Sequence, residues 1–291
     1  MADDVFEVYG VAPDPGRTRA GLFAAVREAV EPAGRDEAFA VSASFVGTRN
    51  FNRYDVEDLV GERLGGRYFS RRGGSVPPAD RTEWRVVLDG KTLWIARRPY
   101  AVPLHRRAWR RRTVQGSLHP PVAAAMAQLA ELEPGHDVLD PFCGAGTILL
   151  EAHLFEPGAQ YVGVDRDPDA IAAATANATA LHNRREVGDG RGVGVRWLVG
   201  EAGRGGGMVD RVVTNPPWGV RLGVGDLASW ARRWRERLRP GGLLVAILMP
   251  EQVEQLGRGW RVQARYDVAV AGQHPVIVVA QPSATIGYGE T

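Results

Sequence analysis

The tetrapeptide Asn215-Pro216-Pro217-Trp218 follows an apolar run, Val209 to Thr214, that predicts a β-strand. A planar amino group is a poor nucleophile because its lone pair is delocalised, so two acceptors must hold its hydrogens. The Asn215 side-chain oxygen and the Pro216 carbonyl can supply them on a backbone that the prolines stiffen. Trp218 offers a flat face on which a base could stack. The tetrapeptide therefore predicts chemistry at an exocyclic or amide nitrogen, such as its methylation; the alternative is a proline-rich turn with a core tryptophan.

A glycine-rich turn precedes this tetrapeptide by about seventy residues, between a short apolar strand and a predicted helix, Ile148 to Phe155. Gly144 and Gly146 permit a tight turn and close approach of the backbone to a ligand, and the helix amino terminus favours negative groups. A nicotinamide-binding fingerprint would place a third glycine where this chain has Leu149. The turn therefore predicts a different ligand.

Two acidic residues accompany the turn. Asp140 precedes it, and a second predicted strand, Tyr161 to Val164, ends at Asp165, which lies 19 residues after Gly146. An acidic side chain at that position can accept both ribose hydroxyls of an adenosine ligand. Either residue alone could be a strand-end cap, whereas the pair in this order predicts a nucleoside site.

The segments DPFCGAGTILLEA, GVDRDPDAI and VVTNPPWGVRLG resemble class I S-adenosylmethionine-dependent methyltransferases. Within them, the chain is similar to the branch that methylates the 2-amino group of guanine in tRNA, over about Gly116 to Gln281. This resemblance implies an α/β fold with a Rossmann-like sheet of seven strands whose last hairpin is antiparallel. It also implies S-adenosylmethionine as the cofactor and catalysis by positioning, with no metal and no covalent nucleophile.

The resemblance further implies the site residues. Glu201, after the predicted strand Val195 to Val199, replaces the usual aspartate of the adenine pocket, and the glycine-rich stretch Gly203 to Gly207 is atypical. The implied catalytic residues are Asn215, Pro216, Pro217 and Trp218. The implied cofactor-binding residues are Asp140, Phe142, Gly144, Gly146, Thr147, Asp165, Glu201 and Asn215.

Composition favours a soluble two-domain enzyme of the cytoplasm. The chain has 291 residues, 44% of them hydrophobic, and lacks an apolar run of 18 residues or a leader. Its one cysteine, Cys143, excludes a disulfide framework within the chain and is interpreted as a packing residue. Pyrimidine-carbon methylation requires a cysteine thiolate, so Pro-Pro-Trp in place of Pro-Pro-Cys disfavours it. We expect no membrane association and no obligate protein partner.

Basic residues are concentrated before the predicted catalytic domain. The first 116 residues carry a net charge of +5 and the remainder −3, and 35 of the 36 basic residues are arginine. Arginine pairs bidentately with phosphate and stacks on bases, so the run predicts contact with a nucleic-acid backbone. The alternative is a solvated linker. The predicted RNA-binding residues are Arg106, Arg107, Trp109, Arg110, Arg111 and Arg112.

Hydrophobic periodicity and turn residues divide the chain into residues 1–112 and 113–291. The first part predicts helices at 17–30 and 55–64, with Asp55 as an N-cap, and strands at 38–45, 84–88 and 92–96 around an Asp89-Gly90 hairpin. It resembles the second half of a THUMP domain, an α+β module of tRNA methyltransferases. The second part predicts helices at 120–132, 169–182 and 227–238, a strand at 243–249 and a hairpin of 261–270 with 275–280.

The expected substrate is a guanine amino group in structured RNA, with tRNA as the expected RNA. The tetrapeptide alone leaves DNA adenine, a protein glutamine amide and a nucleoside-like small molecule open. A catalytically dead RNA-binding protein is the alternative from another class. His119, before Pro120-Pro121, is interpreted as a capping or packing residue, although the resemblance also suggests contact with the cofactor.

Overall fold

The computed structural model describes residues 4–32, 37–185, 194–203, 207–218, 226–270 and 272–283. The chain divides into two compact units at Leu104/His105. The arginine-rich run, which the sequence analysis grouped with the first part, therefore lies in the second unit. Gly203 and Gly207 of the glycine-rich stretch are described, whereas residues 204–206 between them lie outside the described residues, as does residue 271 of the predicted terminal turn.

The first unit is a five-stranded mixed sheet with two helices. Its strand order is β1-β5-β4-β2-β3, in which β4 pairs parallel to β2 and antiparallel to β5. The sequence predicted β2, β4, β5 and both helices but missed the edge strands β1 and β3. The elements are β1 (Glu7–Pro13), α1 (Arg19–Ala29), β2 (Ala38–Phe45), α2 (Arg53–Leu64), β3 (Arg67–Tyr68), β4 (Thr82–Leu88) and β5 (Thr92–Arg97).

The start of α2 differs from the prediction that Asp55 is its N-cap. Asn52 is the N-cap, and its side-chain oxygen accepts hydrogen bonds from the backbone N–H groups of Tyr54 and Asp55. The Asp55 carboxylate in turn accepts from the Asn52 N–H at 2.9 Å. Because this reciprocal capping box satisfies the exposed amides from both sides, the helix begins two residues earlier than predicted.

The second unit has a seven-stranded sheet in the order β11-β12-β10-β9-β6-β7-β8. All its pairings are parallel except those of β12, which runs antiparallel to β10 and β11. The predicted α/β class and antiparallel terminal hairpin are confirmed. The strands are β6 (Asp137–Asp140), β7 (Gln160–Asp165), β8 (Val195–Val199), β9 (Val209–Thr214), β10 (Leu238–Leu248), β11 (Trp260–Asp267) and β12 (Val276–Pro282), and the helices are α3 (Pro120–Leu129), α4 (Thr147–Phe155), α5 (Pro168–Arg185), α6 (Asp226–Arg237) and α7 (Pro250–Gln255).

The boundary between α6 and β10 also differs from the prediction. Pairing with β9 begins at Leu238 and resumes at Leu243, so Pro240-Gly241-Gly242 forms an irregularity within the strand span instead of a separate turn. Proline lacks the N–H that a regular ladder needs, and Gly241 has a φ of 81°. The strand therefore tolerates these residues only where its register shifts.

Two apolar layers enclose the seven-stranded sheet. One buries Met126 of α3 and Leu149 of α4 with Ile247 of β10. The other buries Trp234 of α6 with Leu244 of β10. The sheet is thus held rigid on both faces, which fixes the ends of its strands. Within the described residues, no helix is long and apolar enough to cross a membrane.

Candidate active site

The predicted site residues meet at one edge of the seven-stranded sheet. Strands β9, β6 and β7 are parallel neighbours, so their carboxyl ends lie side by side. Asp140 and Asp165 are the last residues of β6 and β7, and Asn215 directly follows β9. The carboxyl edge of a doubly wound sheet is where ligands bind.

The glycine turn connects β6 to α4, and its backbone requires glycine at two positions. Gly144 and Gly146 have φ angles of 52° and 79°, in the left-handed region. A Cβ atom on Gly146 would lie 2.6 Å from the ring of Trp197, which projects from β8 beneath the turn. Trp197 also packs on Gly163 of β7, where a Cβ would lie 2.5 Å from its ring. Trp197 is therefore a support of the turn that sequence reasoning missed.

Asp140 is fully buried, and only one of its oxygens is hydrogen-bonded. Oδ1 accepts from the Phe142 N–H at 3.0 Å and from the Thr214 hydroxyl at 2.8 Å. Oδ2 has no hydrogen-bond partner within the described part of the chain. Burial is the main cause that raises the pKa of Asp140 to about 7. The unused oxygen suits a ligand that brings a cationic donor.

Thr214 links the two halves of the site. It is the last residue of β9 and fully buried, and its hydroxyl donates to Asp140 on β6. The next residue is Asn215. This hydrogen bond therefore fixes the tetrapeptide relative to the glycine turn, a role that an isolated threonine in an apolar run does not reveal.

Asp165 shapes the turn from the neighbouring strand. Its carboxylate accepts from the Gly144 N–H at 2.9 Å and from the Asp167 N–H at 3.0 Å. It is partly exposed, and each oxygen keeps a second lone pair that can accept a ribose hydroxyl. Glu201 lies beyond the end of β8 with an exposed side chain, while the next residue, Ala202, is buried. The adenine role of Glu201 stays a prediction.

The remaining residues of the turn contribute packing and one further polar group. The Phe142 ring contacts Trp230 of α6 edge-on, with 4.5 Å between centroids. Thr147, the first residue of α4, is buried, and its hydroxyl has no hydrogen-bond partner among the residues the structure describes. Burial raises the pKa of the Cys143 thiol far above its usual range, which agrees with packing rather than reactivity.

Asn215 presents its side-chain oxygen as an unused acceptor. Its amide nitrogen donates to the Gly116 carbonyl at 3.3 Å, which determines the orientation of the side chain. Its Oδ1 is buried and lacks a partner in the described residues. A buried amide oxygen without a partner is costly unless a ligand supplies the donor.

The rest of the tetrapeptide is held against β10 and α7. The Trp218 indole N–H donates to the Ile247 carbonyl at 3.1 Å, and its ring packs partly against the core. The Gln252 side chain donates to the Pro217 carbonyl at 3.3 Å and accepts from the Met249 N–H at 2.9 Å. Pro216 is buried and Pro217 is exposed. Trp218 is thus half-buried and fixed, and base stacking on it stays a prediction.

The arginine-rich run includes two residues with intramolecular roles, which corrects the expectation that all six face RNA. Arg107 makes two hydrogen bonds, at 2.6 and 3.2 Å, to Glu151, a buried carboxylate of α4. Trp109 is 4% exposed and packs with Leu150 and Leu181, so no ring face is available for a base. Arg106, Arg111 and Arg112 have exposed side chains, and Arg110 is half-buried.

Asn177 of α5 attaches this run to the glycine turn. Its buried side-chain oxygen accepts from the N–H groups of Arg111 and Arg112 at 2.8 and 2.9 Å. Its nitrogen donates to the carbonyls of Arg112 and Ala145 at 2.9 and 3.0 Å. One side chain thus joins the arginine backbone to the turn. Nothing in the alanine-rich helical sequence distinguishes this asparagine from a solvent-facing one.

These features fit S-adenosylmethionine. Asp140 offers an unused buried oxygen to an ammonium group, the glycine turn leaves room for close approach of a ligand, and Asp165 can hold a ribose. The fold and site define a class I S-adenosylmethionine-dependent methyltransferase.

Comparisons with known proteins agree with that class. The model of the UPF0020 family, described as RMKL-like, methyltransferase domain, matches residues 107–253. A tRNA (guanine(6)-N2)-methyltransferase of Thermus thermophilus is 34% identical over 261 residues, covering 84% of this chain and 72% of that protein. The chain therefore belongs to the UPF0020 methyltransferase family.

Two further relatives are more distant or match over less of their length. The bovine U6 snRNA (guanine-N(2))-methyltransferase THUMPD2 is 32% identical over 163 residues, which span 55% of this chain and 30% of that protein. The crystal structure of TrmN from Thermus thermophilus aligns with a TM-score of 0.78 and 25% identity, over 97% of this chain and 84% of that one.

Proposed function

We propose that this enzyme transfers a methyl group from S-adenosylmethionine to the 2-amino group of guanine in structured RNA, with tRNA as its substrate. The observation that carries the proposal is the buried, unpartnered Oδ1 of Asn215 beside the cofactor residues. An amide oxygen accepts hydrogen bonds only, so it suits an amino group as its target.

When bound, the cofactor supplies an electrophilic methyl carbon on its sulfonium. Asn215 Oδ1 and the Pro216 carbonyl accept the two hydrogens of the target amino group and draw the nitrogen away from conjugation. Because Gly116 and the prolines fix these acceptors, the nitrogen is aimed before reaction, and orientation of this kind accounts for much of an enzyme's rate. The amino proton leaves to water, so no general base is assigned.

Asp140 and Asp165 hold the cofactor on the other side of the site. The hydrogen bond from Thr214 to Asp140 keeps the distance between the two half-sites constant. Methyl transfer is an in-line displacement, in which a small error of alignment reduces the rate strongly. The fixed link between β6 and β9 therefore contributes directly to catalysis.

RNA as the substrate is supported by two observations. The relatives named above methylate guanine N2 in tRNA or U6 snRNA. The exposed arginines Arg106, Arg111 and Arg112 offer cations for phosphate, and Asn177 attaches the backbone of Arg111 and Arg112 to the glycine turn. We further propose that the first unit, which the sequence analysis compared with a THUMP domain, binds RNA.

The experiment that tests the substrate uses cofactor with a labelled methyl group. Separate pools of tRNA transcribed in vitro, ribosomal RNA, DNA and protein are incubated with the enzyme, and labelled products are digested for nucleoside mass spectrometry. The proposal expects N2-methylguanosine in the tRNA pool and no label with the Asp165→Ala control. Label in DNA or protein, with none in RNA, would refute it.

A further inference from the structure

One cavity of the second unit has no role in the proposal above. Its volume is about 360 Å³. The lining residues are Arg110, Ser117, His119, Val122, Ala269 and Val270.

The cavity lies on the substrate side of Asn215. Ser117 is the neighbour of Gly116, whose carbonyl accepts from the Asn215 amide. Ala269 and Val270 follow β11, at the edge where Asp267 pairs with Val276 of β12. In the sheet order, β10, β12 and β11 lie on one side of β9, while the cofactor strands β6 and β7 lie on the other. Ser117 and the residues after β11 thus place the cavity near Asn215, while Asn177 also joins Arg111, the neighbour of Arg110, to the glycine turn.

The polar side chains around the cavity favour an anion. Arg110 is half-buried, and its Nε is buried without a hydrogen-bond partner in the described ranges. The nearby carboxylate of Glu151 is already paired with Arg107. Burial lowers the pKa of Arg110, and the charge of Glu151 acts in the opposite direction. A desolvated guanidinium of this kind is costly unless a ligand pairs with it.

The other lining residues add a hydroxyl donor and no negative charge. Val122 lies in the first turn of α3, and its N–H already donates to the His119 carbonyl at 3.0 Å. His119 is the N-cap of that helix, and its ring contacts the ring of His105, with 5.2 Å between the centroids. The Ser117 hydroxyl accepts from the Val114 N–H at 2.9 Å and keeps its own hydrogen for donation. None of the six lining residues is acidic.

We propose that this cavity binds the phosphate group next to the target guanosine, with Arg110 as the residue that pairs with it. This proposal rests on the proposed function. A guanidinium pairs with phosphate through two parallel hydrogen bonds, which fix direction as well as position. The exposed arginines attract RNA in general, whereas Arg110 holds the target nucleoside in place against Asn215.

The test is a double-mutant cycle between the Arg110 side chain and one phosphate of the RNA. A tRNA is assembled by ligation so that the linkage on the 5′ or the 3′ side of the target guanosine is a neutral methylphosphonate. With the wild-type enzyme, one of these linkages should lower kcat/KM for methylation about tenfold. With Arg110→Gln, the same linkage should cost less than about twofold, because the pairing is already lost. Arg111→Gln is the matched control and should retain the full penalty.

Four outcomes are informative. Additive effects of Arg110→Gln and both methylphosphonates would overturn the proposal, as would a loss of cofactor affinity in Arg110→Gln by calorimetry, which would assign the guanidinium to the cofactor carboxylate. Unchanged thermal unfolding of Arg110→Gln shows that coupling is not a folding effect. If the wild-type enzyme methylates no unmodified tRNA, the proposed function itself fails, and the two failures are thus distinct.

Discussion

A buried carboxyl group in which one oxygen lacks a hydrogen bond lowers the free energy of unfolding. Asp140 has no exposure, and its Oδ2 lacks a hydrogen-bond partner in the residues described. Such a group destabilises the unliganded fold, because burial disfavours its charged form. We propose that it binds the cofactor amino group, which would supply both the charge and the missing donor.

The raised pKa of Asp140, about 7, predicts a pH dependence of cofactor binding. The ionised carboxylate pairs with an ammonium group through charge as well as hydrogen bonding, whereas the neutral acid loses the charge pairing, so affinity should fall as the pH drops through 7. We expect S-adenosylhomocysteine to bind about tenfold more weakly at pH 6 than at pH 8 by calorimetry. Asp140→Asn should bind weakly at both values. A flat wild-type profile would contradict this assignment.

The raised pKa of Asp140 also predicts that the stability of the unliganded fold falls as the pH rises, whereas cofactor affinity rises. A carboxyl whose pKa is raised on folding, from 3.8 to about 7, destabilises the fold increasingly as the pH rises across that window. Asp140→Asn should therefore raise the unliganded melting temperature at pH 8 by several degrees, and by less at pH 5. Scanning calorimetry without cofactor checks this. If the melting temperature rose equally at pH 8 and pH 5, or fell at pH 8, the raised pKa of Asp140 would be contradicted.

At the scale of elements, sequence periodicity located most strands because alternating or continuous apolar runs ended at clear turn residues. The strand β9 and the helix α4 were found within a residue of their ends. The edge strand β1 was missed because its residues alternate weakly, with mostly exposed side chains. Trp197 and Asn177 were missed because their roles depend on residues far away in the chain.

Asn177 is expected to stabilise the fold by joining three segments of the chain. Its four hydrogen bonds connect α5, the arginine backbone and the glycine turn. Asn177→Ala would leave several buried groups unpaired, so we expect a loss of about 2–4 kcal/mol in the free energy of unfolding, measured with urea. Thr179→Ala, on the same helix but exposed, should change it by less than about 0.5 kcal/mol. Equal effects would show that Asn177 has no special role.

For the whole molecule, the sequence showed where positive charge is concentrated but not which arginines are available. Arg107 is paired with Glu151, whereas Arg106, Arg111 and Arg112 remain exposed. Charge counting cannot separate these cases, because a buried partner such as Glu151 comes from a distant helix. The family, the cofactor and the sheet were predictable, since they depend on short motifs.

RNA affinity should depend on salt through the exposed arginines. Each phosphate contact contributes about 0.7–0.9 to the slope of log affinity against log salt concentration. Replacing Arg106, Arg111 and Arg112 by Ala should therefore reduce the slope by about 2–3, measured by fluorescence anisotropy with tRNA. Replacing Arg196 and Arg258, which are exposed near the amino ends of β8 and β11, is the control and should leave the slope unchanged. An unchanged slope in the triple variant would favour a solvated linker.

The most direct test of the account concerns Asn215. Single-turnover methylation of tRNA by Asn215→Ala is measured at saturating cofactor and RNA, so that binding does not limit the rate. Loss of the fixed acceptor should slow methyl transfer about 100-fold or more, with folding unchanged. A rate within about threefold of the wild type would contradict the role of the Asn215 oxygen and, with it, the proposed mechanism.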